Sequence, residues 1–264
     1  MKQKFQDKFF VTKVIAAVTY VIMIAVNILA NLMPINGQTT AQISDSYMNL
    51  FAPAGFTFAI WGAIYVALGV YVVSQFILPQ QSGRTKHIIE SINRFFIISS
   101  IANTIWIFAW HYLAIGFTVI LTVTMLYTLI KIADLINIAG LNGREKLLLK
   151  VPFGLYFGWV TVATIANITV YLVSIGWNGW GISQEIWMII VLFVGLVISI
   201  LRTHKDKNIA YGLVPVWAYF GILMRHVSKD GFGGMYPNIV MFLGFCIAVL
   251  IITNIYQAVK KEYI

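Results

Sequence analysis

Asn103, Trp106 and Trp110 recur at i, i+3 and i+7, which places them along one stripe of a helix. Trp159, Ala163 and Asn167 do the same at i, i+4 and i+8, and Asn27 and Asn31 share a face four residues apart. Flat indole walls carrying a few neutral amides are the usual lining of a small-molecule pocket. Such amides also have a structural use. In hydrocarbon each must find a partner, and interhelical hydrogen bonds worth roughly 0.6–2 kcal/mol are the common solution. For the Asn residues the structural role is the expectation. For the tryptophans it is the pocket, because Trp106 and Trp159 fall inside apolar runs and not at their ends, where interfacial aromatics gather.

Acid–base or nucleophilic chemistry needs ionisable groups that converge in a cavity, and the apolar runs hold very few. Asp134 is the best candidate, since a carboxylate at membrane depth is a functional hypothesis by default. Lys131 at i−3 offers it an ordinary ion-pair partner, and that reading is preferred. His111 and His226 sit near the ends of apolar runs and could ligate a haem iron; solvation is the expected state of both. His87 and His204 read as surface residues. No HExxH, GxSxG, P-loop or paired-carboxylate pattern occurs. A binding protein is expected, not an enzyme, with no metal site.

The elements that would position these stripes follow from composition. The 264 residues are 60% hydrophobic and 10% charged, with a mean hydropathy of +0.85. Soluble domains carry about 25% charged residues. The chain is therefore expected to be an all-α, polytopic membrane bundle. Runs of roughly 20 apolar residues mark eight spans, at 14–33, 55–78, 95–113, 116–136, 151–175, 184–201, 208–225 and 236–259. The sixth and seventh are the shortest. Cys246 is the only cysteine, so no intrachain disulfide can form.

Charge tests the count. Eight spans put every Lys and Arg except Arg225 and Lys229 on one side of the membrane. The positive-inside rule makes that side the cytoplasm, so both termini and residues 80–93 are expected inside, with 34–52 and 176–183 outside. The net charge of +9 is thus a topogenic signal reinforced by anionic headgroups. Nucleic acid is excluded as a partner, because the basic residues lie in short juxtamembrane loops. The N-terminal apolar run is longer than a signal-peptide core and lacks a small-x-small cleavage site, so it reads as a retained first helix.

One stretch departs from a plain lipid-facing helix. "SYMNLFAPAGFTFAIWGAIYVAL", residues 46–68, opens on Pro53 and Gly55 among Phe51, Phe56 and Phe58, then carries Trp61 and Tyr65. That composition suits the rim of a pocket, with Phe51, Phe56 and Trp61 as aromatic wall. Before it, "NGQTTAQ" has little to bury and is expected to stay mobile unless it closes over something.

These motifs together resemble the TspO/MBR family, the tryptophan-rich sensory proteins of bacteria and the mitochondrial translocator protein, or peripheral benzodiazepine receptor. Family members open their second helix with a Pro-containing aromatic segment ending W-x-x-x-Y, here Pro53 to Trp61 and Tyr65. Their third carries A-N-x-x-W, here Ala102 to Trp106, and their fifth W-x-x-x-A-x-x-x-N, here Trp159, Ala163 and Asn167, with Tyr156 upstream. The resemblance implies a five-helix core over residues 1–175, with three further helices in 176–264. It also implies a pocket under the first loop for a hydrophobic planar ligand: a porphyrin, a haem-like tetrapyrrole or a sterol. The implied ligand-binding set is Pro53, Phe56, Trp61, Tyr65, Asn103, Trp106, Trp110, Tyr156, Trp159 and Asn167.

The expected function is sensing or transport of such a ligand by an integral protein of the bacterial plasma membrane. No cofactor is required, porphyrin or haem being a candidate ligand, and membrane lipids are partners; homodimerisation is left open. A small-solute transporter is the alternative, drawing on Pro215 inside the seventh span and the Gly-rich "KDGFGGMYPN".

Overall fold

A computed structural model describes residues 2–77, 83–139 and 143–260. Within them the chain forms nine α-helices: α1 Lys2–Leu32, α2 Thr40–Ser46, α3 Ile60–Ile77, α4 Gly83–His111, α5 Ile115–Ile138, α6 Gly143–Ser174, α7 Gln184–Asp206, α8 Ile209–Val227 and α9 Pro237–Val259. Seven of the spans, α3 counted together with the 3-10 turn Gly55–Ala59, are long and apolar enough to cross a membrane. The molecule is an all-α, multi-pass membrane bundle.

The remaining long helix, α8, answers to the expected span 208–225. At about 1.5 Å per residue its 19 residues reach nearly 30 Å. Its hydropathy is diluted by Pro215, Arg225 and His226, and its place in the bundle explains how that is tolerated. Tyr211, Val214, Pro215, Ala218, Tyr219 and Ile222 are all buried against neighbouring helices, so protein replaces lipid around much of it. The seam with α6 is made by Gly154 and Gly158, a G-x-x-x-G pair. A methyl group on Gly158 would lie 2.8 Å from the Tyr211 carbonyl oxygen and 2.8 Å from Val214 Cβ. That carbonyl stands four residues before Pro215, whose missing N–H leaves it without its helical donor. A close glycine backbone covers it.

Helix ends are fixed by local chemistry. Ser183 caps α7, its hydroxyl accepting from Ile186 N–H, and Asn208 caps α8 by accepting from Tyr211 N–H. Between them Lys207 takes a left-handed conformation at φ 47° and stops α7. The helix runs to Asp206 and so exceeds the expected 184–201, because its last turn is paired. Arg202 Nη2 lies 2.7 Å from Asp206 Oδ2, and Lys205 Nζ lies 3.0 Å from Asp134 Oδ1. Asp134 therefore ties α5 to α7. The expected partner Lys131 instead sits over the Tyr127 ring, 5.4 Å from its centroid.

Contacts between helix ends sort into two sets. At one end Lys13 Nζ donates to Gln75 O, Asn208 Nδ2 to Lys150 O, and the Asp134–Lys205 pair forms. At the other, Asn36 Nδ2 donates to His111 O, Arg225 pairs with Asp45, and Asn238 Nδ2 donates to Glu185. The segments expected to share a side of the membrane thus share an end of the bundle. The histidines at the second end are not solvated: His111 and His226 are both buried. His111 Nδ1 lies 2.7 Å from Ile107 O, and His226 Nε2 lies 2.9 Å from Leu50 O. Sidedness is tested by single-cysteine labelling in a Cys246→Ala background. Cysteines at the exposed positions Gln38 and Lys229 should react with an impermeant maleimide on intact cells. Reaction only after the membrane is opened reverses the topology.

Candidate functional site

The two tryptophans of α4 stack on one another, Trp106 on Trp110, with centroids 5.2 Å apart and planes 17° from parallel. Their polar edges are satisfied from other elements. Trp106 Nε1 donates to Asn167 Oδ1 of α6 at 3.2 Å, and Trp110 Nε1 donates to Thr40 O of α2 at 3.2 Å. From α3, Trp61 stacks on Tyr65 at 5.3 Å and meets Trp159 of α6 edge-on at 6.1 Å. Phe58 meets the same Trp159 edge-on. Edge-to-face and offset packing of this kind fixes ring orientation. Asn27 Nδ2 donates to Asn103 Oδ1 at 2.7 Å, joining α1 to α4. The amides therefore hold helices together while the indoles build walls.

Two adjoining cavities lie among these rings. The inner one, of about 80 Å³, is bounded by Trp106, Trp110, Trp159 and Asn167, with Phe51, Ala52 and Pro53 above it. The outer one, of about 450 Å³, lies between α1 and α3 and is lined by Asn27, Asn31, Gly62 and Tyr65. Thr40, Phe58, Trp61 and Trp106 line both, so they form the partition. Ile28 and Leu32 also line the outer cavity and are 47% and 75% exposed, so it opens through the side of the bundle. Among the described residues, the buried hydroxyls of Thr40 and Tyr65 have no hydrogen-bond partner. Unsatisfied buried hydroxyls are costly, and both belong to the outer lining.

The loop over the inner cavity has more to bury than its sequence promised. Thr39 and Gln42 form a reciprocal capping box that starts α2, and Ile43, Leu50 and Phe51 are buried beneath.

The family model described as TSPO-like protein matches residues 13–256. This chain belongs to the TSPO-like protein family. No curated protein and no solved structure matches it. The family match crosses the expected boundary at residues 175 and 176 and takes in α7, α8 and most of α9.

Of the residues expected to bind ligand in this TSPO-like protein, Pro53, Trp61, Asn103, Trp106, Trp110, Trp159 and Asn167 line the inner cavity. Tyr65 lines the outer one. Tyr156 lies behind the wall, fully buried, its hydroxyl accepting from Ser99 Oγ at 3.1 Å. Phe56 stands apart: it is 45% exposed and packs edge-on against Trp217 and Phe220. Neither His111 nor His226 is among the lining residues, so neither is placed to ligate an iron held there. Sequence reasoning missed Thr40, Ser44 and Asn49 from the loop, and Ala218 and Ile222 from α8. The small residues Ala218 and Gly221 following Pro215 were the available signal on α8, since small residues mark close helix contacts.

Proposed function

We propose that this TSPO-like membrane protein binds a flat, uncharged amphiphile of the sterol class, with its body in the outer cavity and its leading edge against the Trp61 and Trp106 partition. The observation that carries the reading is the pair of unpartnered hydroxyls, Thr40 and Tyr65, in an aromatic cavity of about 450 Å³ open to the side. That volume falls within the range of ordinary ligand pockets, roughly 300–1,000 Å³. A single hydroxyl or carbonyl on the ligand would satisfy either group. Sensing or transport then follows from how binding is coupled to the loop above.

The other ligand class implied by the resemblance, porphyrins and haem-like tetrapyrroles, carries acidic side chains and, in haem, an iron. Among the described residues, both linings are apolar or neutral polar, and none is His, Lys or Arg. A buried carboxylate needs a partner, so the lining favours the neutral class. The two features behind the transporter alternative have ordinary places. Pro215 sits in a continuous α8, and the Gly-rich stretch forms the turn between α8 and α9.

Tryptophan quenching and thermal shift of the detergent-purified protein test the proposal with cholesterol, protoporphyrin and haem as probes. Saturable quenching by cholesterol, without a comparable response to the two tetrapyrroles, is the expected result. Binding of protoporphyrin or haem alone overturns the ligand class. No response to any probe overturns the binding site.

A further inference from the structure

One face of α8 meets the loop and its continuation at four points. Trp217 Nε1 donates to Thr57 O at 2.9 Å, and Ala54 N–H donates to Gly221 O at 3.0 Å. Arg225 Nη2 pairs with Asp45 Oδ1 at 3.1 Å, and His226 Nε2 lies 2.9 Å from Leu50 O. Gly221 has no side chain where Thr57 seats against it; a Cβ there would collide with the Thr57 side chain. Between these contacts Ala218 and Ile222 form part of the inner cavity wall.

We infer that α8 is the latch of the loop: its last turn holds residues 45–50 over the inner cavity and, when it lets go, opens that cavity from above. The contacts differ in kind along the helix. Trp217 and Gly221 grip the start of the second span, which the bundle already fixes. Arg225 and His226 grip the loop itself. Asp45 is 54% exposed on its side chain, so its ion pair is the weaker hold. The His226–Leu50 bond is the stronger, because His226 is fully buried against the Phe232 and Tyr236 rings, and Leu50 is buried with it. Breaking that bond in place strands two buried polar groups. The loop therefore opens as a unit or stays shut.

The inference concerns access to the inner cavity and rests on the proposed function only in that the Trp61 and Trp106 partition touched by the ligand is also a wall of that cavity. Hydrogen exchange of residues 40–52, measured without ligand on the full-length protein in detergent, tests it directly. His226→Ala should raise exchange there by about tenfold, and Arg225→Asp by about threefold. The charge swap Asp45→Arg with Arg225→Asp should return it towards wild type. If His226→Ala loosens the whole bundle, with α5 and α6 exchanging too, the Arg225→Asp variant and its swap decide. Wild-type exchange in Arg225→Asp, or no recovery in the swap, overturns the latch. Gly62→Leu separates the two readings. It fills the outer cavity, where an added Cβ meets nothing within 4 Å, and touches no latch contact, so it should leave exchange unchanged while weakening cholesterol quenching. Wild-type quenching in that variant counts against the ligand site; raised exchange in it counts against the latch.

Discussion

Trp61→Ala should weaken cholesterol binding by tenfold or more. The indole stacks on Tyr65, meets Trp159 edge-on and lines both cavities. Removing it takes away the central partition and about 2 kcal/mol of apolar contact, which is the basis of the tenfold figure. Tyr65→Phe is the companion test. It removes a hydroxyl with no partner among the described residues, so the fold should be unaffected. A ligand that bonds to it should lose about 1 kcal/mol, a factor of roughly five. Both are read as shifts in the midpoint of tryptophan quenching, Trp61→Ala against a wild type corrected for the lost fluorophore. Unchanged affinity in Trp61→Ala would leave residues 46–68 as nothing more than the start of a helix.

The second large effect is on stability. Asp206→Leu should cost about 3–5 kcal/mol, the usual result of stranding one member of a buried ion pair. Asp206 is 3% exposed, accepts from Asn137 Nδ2 at 3.0 Å, and faces Arg202 at 2.7 Å. The Arg202 guanidinium lies over the Phe157 ring, 4.9 Å from its centroid, with its side chain only 16% exposed. Without Asp206 the nearest carboxylate is Asp134, at 4.0 Å and already held by Lys205. Thermal unfolding in detergent should fall by on the order of 10 °C. Replacing both partners, Arg202→Leu with Asp206→Leu, should recover most of the loss, since two apolar side chains leave no buried charge. A single variant as stable as wild type would show that the pair contributes nothing to holding α7.

The helical stripes were legible because a period of 3.6 residues is a property of neighbours in sequence. Asn103, Trp106 and Trp110 had to share a face once α4 formed, and so did Trp159 and Asn167 on α6. The spans were legible for a similar reason: hydropathy adds along a segment, and charge alternation across successive loops checks the count. Even the family resemblance rested on such local patterns, and the match over residues 13–256 bears it out.

What failed depended on which segments meet. Asp134 looked to Lys131 a turn away, yet its partner is Lys205, 71 residues on. His226 looked solvated at a helix end, yet it is buried on the carbonyl of Leu50, 176 residues earlier. Phe56 was expected in the aromatic wall, yet Phe58 takes that place. In the 3-10 turn Gly55–Ala59, successive residues advance by about a third of a turn, so the two rings point apart. Phe58 goes to Trp159 and Phe56 to Trp217. The sequence by itself determined the membrane bundle, its spans and the faces that carry indoles and amides, because these follow from nearest neighbours and additive transfer energies. Only the tertiary structure decided that α8 closes the cavity and holds its loop. A contact between distant segments is set by the packing of the whole bundle, and no local pattern encodes it.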